Sequence, residues 1–237
     1  RWWTTKSLHR NRKVETTTIL TPKNPMSRKL YSPEEIIRKR YEVLPWEGQW
    51  EEAFGRPAIG EMWFITGASA SGKSSFVMQL SRELCNYGKV LYLSLEEGVS
   101  QSFKERIERY QMSEVSRAFA VATSDSYEEL IERLSKQRSA RFIIIDSFQY
   151  AGWTYAQALA LTERYPKKTF IFISQEDKGA PLGKPDIRLR YAAGVKVRVS
   201  GFKAFCQGRY SGKTGSYYPV WEEGILRLEG GENDDTE

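Results

Sequence analysis

The sequence contains few of the residues that bind structural zinc. Its 237 residues include two cysteines, Cys85 and Cys206, and one histidine, His9. A structural zinc site takes four ligands, mostly Cys and His, so we expect no zinc. Both cysteines lie in apolar or mixed segments, where reduced thiols packed in a core are the common case. We therefore assign them no function.

The sequence also lacks a long apolar stretch. A membrane-spanning helix needs about 18 or more consecutive apolar residues, and the opening Arg1-Trp2-Trp3 stretch lacks the apolar segment of a signal peptide. With 40% hydrophobic and 13% aromatic residues, the chain can nevertheless bury a substantial core. We expect a cytoplasmic protein without a membrane partner, made of one main domain and an appendage.

The net charge of +6 is unevenly distributed. Residues 1–45 carry 11 Lys and Arg against 4 Glu, whereas the remainder carries 25 basic and 26 acidic residues. Such an excess suits contact with nucleic acid, although a solvated leader would have the same composition. We predict a basic arm at 1–45, containing a short helix capped by Ser32 and stopped by Pro45. The main domain is predicted at 46–228 and an acidic disordered tail at 229–237.

Short apolar runs alternate with helical patterns from Glu61 onwards. This order predicts an α/β fold with a mainly parallel sheet flanked by helices. The expected strands are Met62–Thr66, Val90–Leu95, Phe142–Ile145 and Phe170–Ile173. The expected helices are Ser74–Tyr87, Gln101–Gln111 and Tyr127–Gln137. A C-terminal antiparallel extension is predicted from Val195–Ser200, Phe202–Cys206, Ser216–Trp221 and Ile225–Leu228.

Residues 67–74 match the phosphate-binding pattern G-x-x-x-x-G-K-[ST] at every fixed position, between a predicted strand and a predicted helix. Glycines let backbone amides approach phosphate oxygens, Lys73 can neutralise the β and γ phosphates, and Ser74 can ligate Mg²⁺. The residues expected to bind ATP are Gly67, Ala68, Ser69, Ala70, Ser71, Gly72, Lys73, Ser74 and Ser75. A similar segment at 208–214 is one residue too short and has no following helix, so we reject it.

Two carboxylates complete the predicted site. Asp146 ends an apolar strand, where P-loop proteins place the residue that holds Mg²⁺; an Asp that caps the next loop would look the same. Glu96 ends the strand Val90–Leu95 and is our candidate for activating water. We prefer it to Glu97 because of strand alternation and an expected position beside the phosphate strand.

Together these motifs resemble the RecA-like ATPases, within the branch of DnaB-type helicases and RadA-type repair ATPases, over about Gly55–Leu228. Leu91–Glu96 is similar to that branch's strand ending in Ser-Leu-Glu, whose Glu activates water. The resemblance implies a RecA-like P-loop fold, Mg²⁺-dependent ATP hydrolysis and assembly as a homo-oligomer. It also implies that Gln175 senses the γ phosphate, although a Gln without that role would look the same.

The segment Lys178–Lys203 contains 7 basic residues and 1 acidic residue. In the family, the corresponding segment is a mobile loop near bound DNA. A basic loop with Gly and Pro suits contact with phosphates rather than bases, whereas a solvated loop would have the same composition. Our candidates for contact with nucleic acid, with single-stranded DNA favoured, are Lys178, Lys184, Arg188 and Arg190.

Arg209 lies in a segment that resembles the helicase branch's Lys-x-Arg followed by a Gly-x-Thr-Gly turn. In that branch, these basic residues reach the nucleotide of the neighbouring subunit. The resemblance therefore implies a catalytic role for Arg209 across a subunit contact. Gln207 stands where the first Lys would fall, so Lys203 or Lys213 could share the task.

The sequence contains neither the collar of the helicases nor the zinc finger and protease-like parts of the repair ATPases, so unwinding is not implied. Two other functions remain open. One is a nucleotide switch that recruits or loads a protein partner. The other is a small-molecule P-loop kinase, which the Glu96 strand and the antiparallel extension disfavour.

Overall fold

The computed structural model describes residues 30–231. The chain divides into two units, Arg1–Arg40 and Tyr41–Glu237, so the division falls five residues before the boundary predicted at 45. In the described part of the first unit, Ser32 caps a short helix, because its hydroxyl accepts from Glu35 N at 3.2 Å and the Glu35 carboxylate accepts from Ser32 N at 2.9 Å. Most of the predicted arm, 1–29, and most of the predicted tail, 232–237, lie outside the described residues.

Nine helices and nine strands are assigned within 30–231. The helices are α1 Pro33–Ile37, α2 Gly48–Phe54, α3 Lys73–Leu84, α4 Gln101–Arg109, α5 Tyr127–Ser135, α6 Phe148–Ala151, α7 Tyr155–Arg164, α8 Lys184–Ala192 and α9 Glu222–Gly231. The strands are β1 Trp63–Gly67, β2 Val90–Ser94, β3 Phe119–Ala122, β4 Phe142–Asp146, β5 Thr169–Asp177, β6 Ala180–Pro181, β7 Val195–Ser200, β8 Lys203–Cys206 and β9 Tyr218–Pro219. A 3₁₀ turn occupies Met112–Val115.

The sheet has the strand order β3-β2-β4-β5-β1-β7-β8-β9, and β6 pairs with the end of β5. Pairing is parallel from β3 to β7, whereas β8 and β9 continue the sheet in antiparallel pairs. The predicted mainly parallel sheet with an antiparallel extension is therefore correct. No strand was predicted at β3 or β6, and no helix at α2, α6, α7 or α8.

Both faces of the central strands are buried. Successive side chains along a strand point to opposite faces, so each strand contributes to two apolar clusters. On β1, Trp63 and Ile65 belong to one apolar cluster together with Phe76 of α3. Phe64, between them, belongs to a second cluster with Leu161 of α7 on the other face. Helices on both faces therefore fix β1 in the centre, and the phosphate loop extends from its carboxyl end.

Two predictions for the C-terminal part of the chain are wrong. The segment 225–228 is not a strand but lies within α9, where Glu222 and Glu223 occupy the first turn and suit the positive end of the helix dipole. Ile225 is 7% exposed whereas Leu226 is 68% exposed, so this helix buries one face. Residues 229–231 of the predicted disordered tail are also helical.

No helix in the part of the chain that the structure describes is long and apolar enough to span a membrane.

Candidate nucleotide site

The loop between β1 and α3 has the shape that a phosphate-binding loop needs. Gly72 precedes α3 in the left-handed conformation, with φ of 93°, and Ala70 also has a positive φ of 60°. At Gly67, a Cβ atom would lie 2.6 Å from Ser71 Oγ and 2.7 Å from Val199 O, so only glycine fits there. The buried Ser71 hydroxyl has no hydrogen-bond partner in the protein, which leaves it able to bind a ligand.

Asp146, at the end of β4, lies in a buried polar environment. Its Oδ2 atom accepts a hydrogen bond from the buried hydroxyl of Tyr92. Burial raises the pKa of the Asp146 carboxyl, while the Tyr92 hydrogen bond and the positive charge of Lys73 act in the opposite direction. The predicted metal-binding carboxylate and the predicted phosphate-binding lysine therefore influence each other directly.

Glu96 contacts the end of β5. Gln175 Nε2 donates to Glu96 Oε1 at 2.6 Å, so the structure brings together the proposed base and the proposed sensor. The backbone N–H groups of Leu95 and Glu96 donate to Asp146 O at 2.7 and 3.2 Å, which holds the ends of β2 and β4 against each other. These side chains come from widely separated parts of the sequence and meet at one edge of the sheet.

Glu97 has a different environment from Glu96. It forms an ion pair with Arg106 of α4, and its Oε2 atom accepts from Ser102 Oγ at 3.0 Å. These contacts direct Glu97 towards α4, which favours Glu96 as the reactive carboxylate. One of our reasons for that choice was wrong, however, because β4 and β5 separate β2 from the phosphate strand β1. Glu96 approaches the site because parallel strands present their carboxyl ends at one edge.

The residues present fit a magnesium ion. In the described part of the chain, no group of three or more His, Cys, Asp or Glu side chains could enclose a metal. Mg²⁺ commonly binds through one or two protein oxygens, with substrate phosphates and water as its other ligands. A cation beside Asp146 would also favour the ionised carboxylate against the effect of burial. Ser74 and Asp146 are the residues that would hold it.

A second polar cluster lies beside the first and was not predicted. Gln149 Nε2, on α6, donates to Ser174 Oγ of β5 at 2.6 Å. Asp186 of α8 is only 3% exposed, and its Oδ1 atom has no hydrogen-bond partner. Burial raises the pKa of Asp186 to about 6, and its contact with Ser174 offsets only part of this effect. In the sequence, Asp186 resembles any carboxylate in the first turn of a helix.

Three of the four candidates from the predicted basic loop lie on a helix. Lys184, Arg188 and Arg190 lie on α8, which begins after Gly183, while Lys178 occupies the turn between β5 and β6. Gly183 immediately precedes this helix, and Pro185 lies in its first turn, where proline is favoured. The residues that indicated a loop therefore lie at the start of a helix.

The side chains on α8 differ in their contacts. Lys184 is exposed. The Arg188 guanidinium lies 4.1 Å from the centre of the Tyr155 ring. Arg190 Nη2 donates to Gln207 Oε1 at 3.3 Å. The basic residues therefore form part of an ordered surface.

Arg209 lies far from the phosphate loop of its own chain. Its backbone N–H donates to Gly194 O at 2.9 Å, beside the amino end of β1. The length of β1, roughly 13 Å for five residues, separates this position from Gly67. Lys203 pairs with Glu229 at 2.5 Å, and Lys213 N donates to Glu52 O at 2.8 Å. Arg209 and Lys213 are both exposed, whereas the side chain of Lys203 is engaged with Glu229.

Comparisons with known proteins support the fold that the geometry indicates. No protein-family model matches the sequence. A curated relative, adenylyl-sulfate kinase 3 of Arabidopsis thaliana, is 33% identical over 114 residues, covering 44% of this chain and 55% of the relative. The chain thus spans about half the length of that relative.

Two solved structures have a similar fold. The flagellar accessory protein FlaH from Methanocaldococcus jannaschii has a TM-score of 0.55 and 18% identity, covering 75% of this chain and 93% of that one. The ATP synthase subunit NeqB from Nanoarcheaum equitans has a TM-score of 0.52 and 13% identity, covering 68% of this chain and 50% of that one. The chain has a RecA-like P-loop fold, with a mainly parallel sheet flanked by helices.

Proposed function

We propose that this protein binds ATP together with Mg²⁺ and hydrolyses it. The observation that carries the proposal is the convergence of four side chains at the carboxyl edge of the sheet. Gln175 donates to Glu96 at 2.6 Å, and Asp146 lies within the electrostatic influence of both Lys73 and Glu96. A loop for phosphate binding, a carboxylate for the metal and a carboxylate able to accept a proton are thus present at one site.

Each residue has a distinct proposed role. The loop at 67–75 binds the phosphates through backbone N–H groups, and Lys73 neutralises their charge. Ser74 and Asp146 hold Mg²⁺, which when bound neutralises charge on the β and γ phosphates. Glu96 accepts a proton from the attacking water, and Gln175 orients Glu96 and responds to the γ phosphate.

We further propose that turnover is coupled to nucleic acid, with single-stranded DNA favoured, in a homo-oligomer of the DnaB or RadA type. Exposed basic side chains on α8, which follows the sensor strand β5 in the chain, support a contact with phosphates. The position of Arg209, away from its own loop, supports a role at a neighbouring subunit. The alternative is a nucleotide switch that recruits or loads a protein partner through the same site.

A kinase is the second candidate, because the curated relative is an adenylyl-sulfate kinase. In a kinase, the γ phosphoryl group passes to an acceptor molecule instead of water. A carboxylate such as Glu96 could accept a proton from water or from an acceptor hydroxyl. We favour hydrolysis because the strand Leu91–Glu96 resembles one whose Glu activates water. Analysis of the products, free phosphate against a phosphorylated acceptor such as adenylyl sulfate, separates the two reactions.

The proposal is tested by measuring release of phosphate from ATP with no nucleic acid, with single strands and with duplex DNA, each at two salt concentrations. We expect stimulation by single strands that declines as salt rises. Lys73→Ala should abolish turnover, because the phosphate charge loses its fixed counter-charge. Normal turnover in Lys73→Ala would overturn the site assignment. Turnover that requires a protein partner and ignores DNA would support the switch instead.

A further inference from the structure

A pocket of about 470 Å³ opens beside the amino end of α3. Its volume lies within the range of about 300–1,000 Å³ that is typical of small-molecule sites. Side chains from α3, the end of α4, the turn between β7 and β8, and the segment after β9 form its walls. The lining residues are Ser75, Arg109, Tyr110, Phe202, Val220 and Trp221.

This pocket is continuous with the phosphate loop. Ser75 belongs to both, and Phe202 N donates to Ser71 O at 3.1 Å. A Cβ atom at Gly72 would lie 3.0 Å from Phe202 Cδ1, so the phenyl ring packs directly against the loop. A nucleotide whose phosphates occupy the loop can therefore extend its sugar and base towards this pocket.

Hydrogen bonds hold the far wall of the pocket in place. Val220 N donates to Phe202 O at 2.8 Å, and Gln79 Nε2 of α3 donates to Val220 O at 3.0 Å. The Gln79 amide also reaches the Tyr110 hydroxyl, at 3.4 Å. One side chain on the helix that starts at the phosphate loop thus ties two walls of the pocket to that loop.

The walls carry flat aromatic surfaces. The rings of Phe202 and Trp221 meet edge to face, with centroids 4.9 Å apart. Trp221 is nevertheless 41% exposed, and the Arg227 guanidinium lies 5.4 Å from its ring. An exposed indole that projects beside a phosphate site is suited to stacking on a nucleobase, since every base offers a π-face.

The polar groups of the lining do not select adenine. None of the six lining residues carries a side-chain amide, which pairs with the adenine edge, whereas the exposed Arg109 could pair with the O6 and N7 atoms of guanine. A purine buries more area against an aromatic wall than a pyrimidine does. Stacking therefore selects for ring size, and nothing in the lining excludes guanine.

We propose that this pocket binds the base of the nucleotide, with Trp221 as the principal stacking residue, and that it accepts both purine nucleotides, ATP and GTP, while disfavouring pyrimidine nucleotides. This inference rests on the proposed nucleotide site at residues 67–75 and goes beyond it, because the phosphate loop contacts no base.

The test is calorimetric titration, in the presence of Mg²⁺, with four probes: ATP, GTP, CTP and inorganic tripolyphosphate, which has no base. We expect both ATP and GTP to bind wild type about tenfold more tightly than CTP does, since stacking changes affinity by this order. Trp221→Ala should lose about tenfold in affinity for ATP and GTP and keep the wild-type affinity for tripolyphosphate. Trp221→Phe should recover most of the loss.

Two further variants make the outcome decisive. Tyr191→Ala, which removes an aromatic ring that is 78% exposed on α8, should bind all four probes as wild type does. Lys73→Ala should weaken all four, and if it does not, the nucleotide site itself is wrong. If Lys73→Ala behaves as expected but Trp221→Ala binds ATP normally, or loses tripolyphosphate equally, the base pocket alone is wrong. Discrimination between ATP and GTP of about 100-fold or more would also overturn the proposal.

Discussion

The charged side chains near the two ends of β1 differ in their contacts. At the carboxyl end, Lys73 and Asp146 influence each other electrostatically and Glu96 contacts Gln175, so the site is assembled within one chain. At the amino end, Arg209 is exposed and is anchored through its backbone to Gly194. This contrast supports our proposal that one chain supplies the nucleotide site, while Arg209 acts at a neighbouring subunit.

The largest expected effect comes from the exposed end. Arg209→Ala should bind ATP normally and assemble, yet hydrolyse ATP about 10³-fold more slowly, because a guanidinium delivered to the γ phosphate stabilises the charge of the transition state. Phosphate release and nucleotide affinity, measured on the same preparation, check this prediction.

A mixture of subunits distinguishes the two ends further. Arg209→Ala protein is expected to be slow and Lys73→Ala protein inactive. When the two are mixed, some turnover should return, because an intact phosphate loop in one subunit can then lie next to an intact Arg209 in its neighbour. Arg117→Ala, at an exposed arginine with no proposed role, is a matched control whose turnover should stay near that of wild type. If co-assembled mixtures show no recovery, Arg209 acts within its own chain or not at all.

At the carboxyl end, two adjacent carboxylates should differ. Glu96→Gln should keep ATP binding and lose about 10² or more in the rate of hydrolysis, because the amide cannot accept a proton. Glu97→Gln should retain most of the rate, since Glu97 pairs with Arg106 on α4. Single-turnover measurements separate the chemical step from binding. A slow Glu97→Gln beside a normal Glu96→Gln would reverse the assignment.

The same contrast shows what could be predicted from the sequence. The strand, loop and helix around residues 67–74 and the buried strands were predicted correctly, because glycine spacing and continuous apolar runs are local signals. Phosphate binding by the loop stays a prediction. The proximity of Glu96 and Gln175 depends on strand order, which no local pattern encodes. The helix α8 was missed because its proline and the glycines before it are typical of a loop. The segment 225–228 of α9 was predicted as a strand because of its apolar residues. Which of these residues are buried depends on tertiary packing, which the local sequence does not show.

The basic side chains on α8 are the proposed contact with nucleic acid, and variants of them test it. Replacing Lys184, Arg188 and Arg190 together with Gln should lower affinity for single-stranded DNA and reduce the slope of log affinity against log salt by about 2, as expected from three lost phosphate contacts. Basal ATP turnover should persist. As a control, Lys136→Gln should leave the slope unchanged, because Lys136 is an exposed lysine at the end of α5. If the triple variant keeps the wild-type slope of log affinity against log salt, these side chains do not contact the nucleic acid.

The smallest effect on turnover is expected at Asp186, where the consequence lies in stability. Its pKa in the folded protein is about 6, above the value of about 3.9 expected in the unfolded chain. The folded state therefore binds this proton more tightly, and the free energy of unfolding should decrease as pH rises from about 4 to 6. Above pH 6 the carboxylate is buried and charged, with one oxygen lacking a donor. Asp186→Asn removes the charge and adds a donor, so at pH 7.5 it should stabilise the protein by about 2 kcal/mol, with little effect at pH 4.

Urea unfolding of wild type and Asp186→Asn at pH 4, 5, 6 and 7.5 measures this difference directly. The gap between the two midpoints should open mainly between pH 4 and 6. Asp177→Asn is the matched control, because Asp177 is an exposed carboxylate at the end of β5, and its midpoint should follow wild type at every pH. If Asp186→Asn is less stable than wild type at pH 7.5, the charged carboxylate contributes a favourable contact that outweighs its burial. The hydrogen bonds of the polar cluster around Ser174 would then favour the ionised form of Asp186.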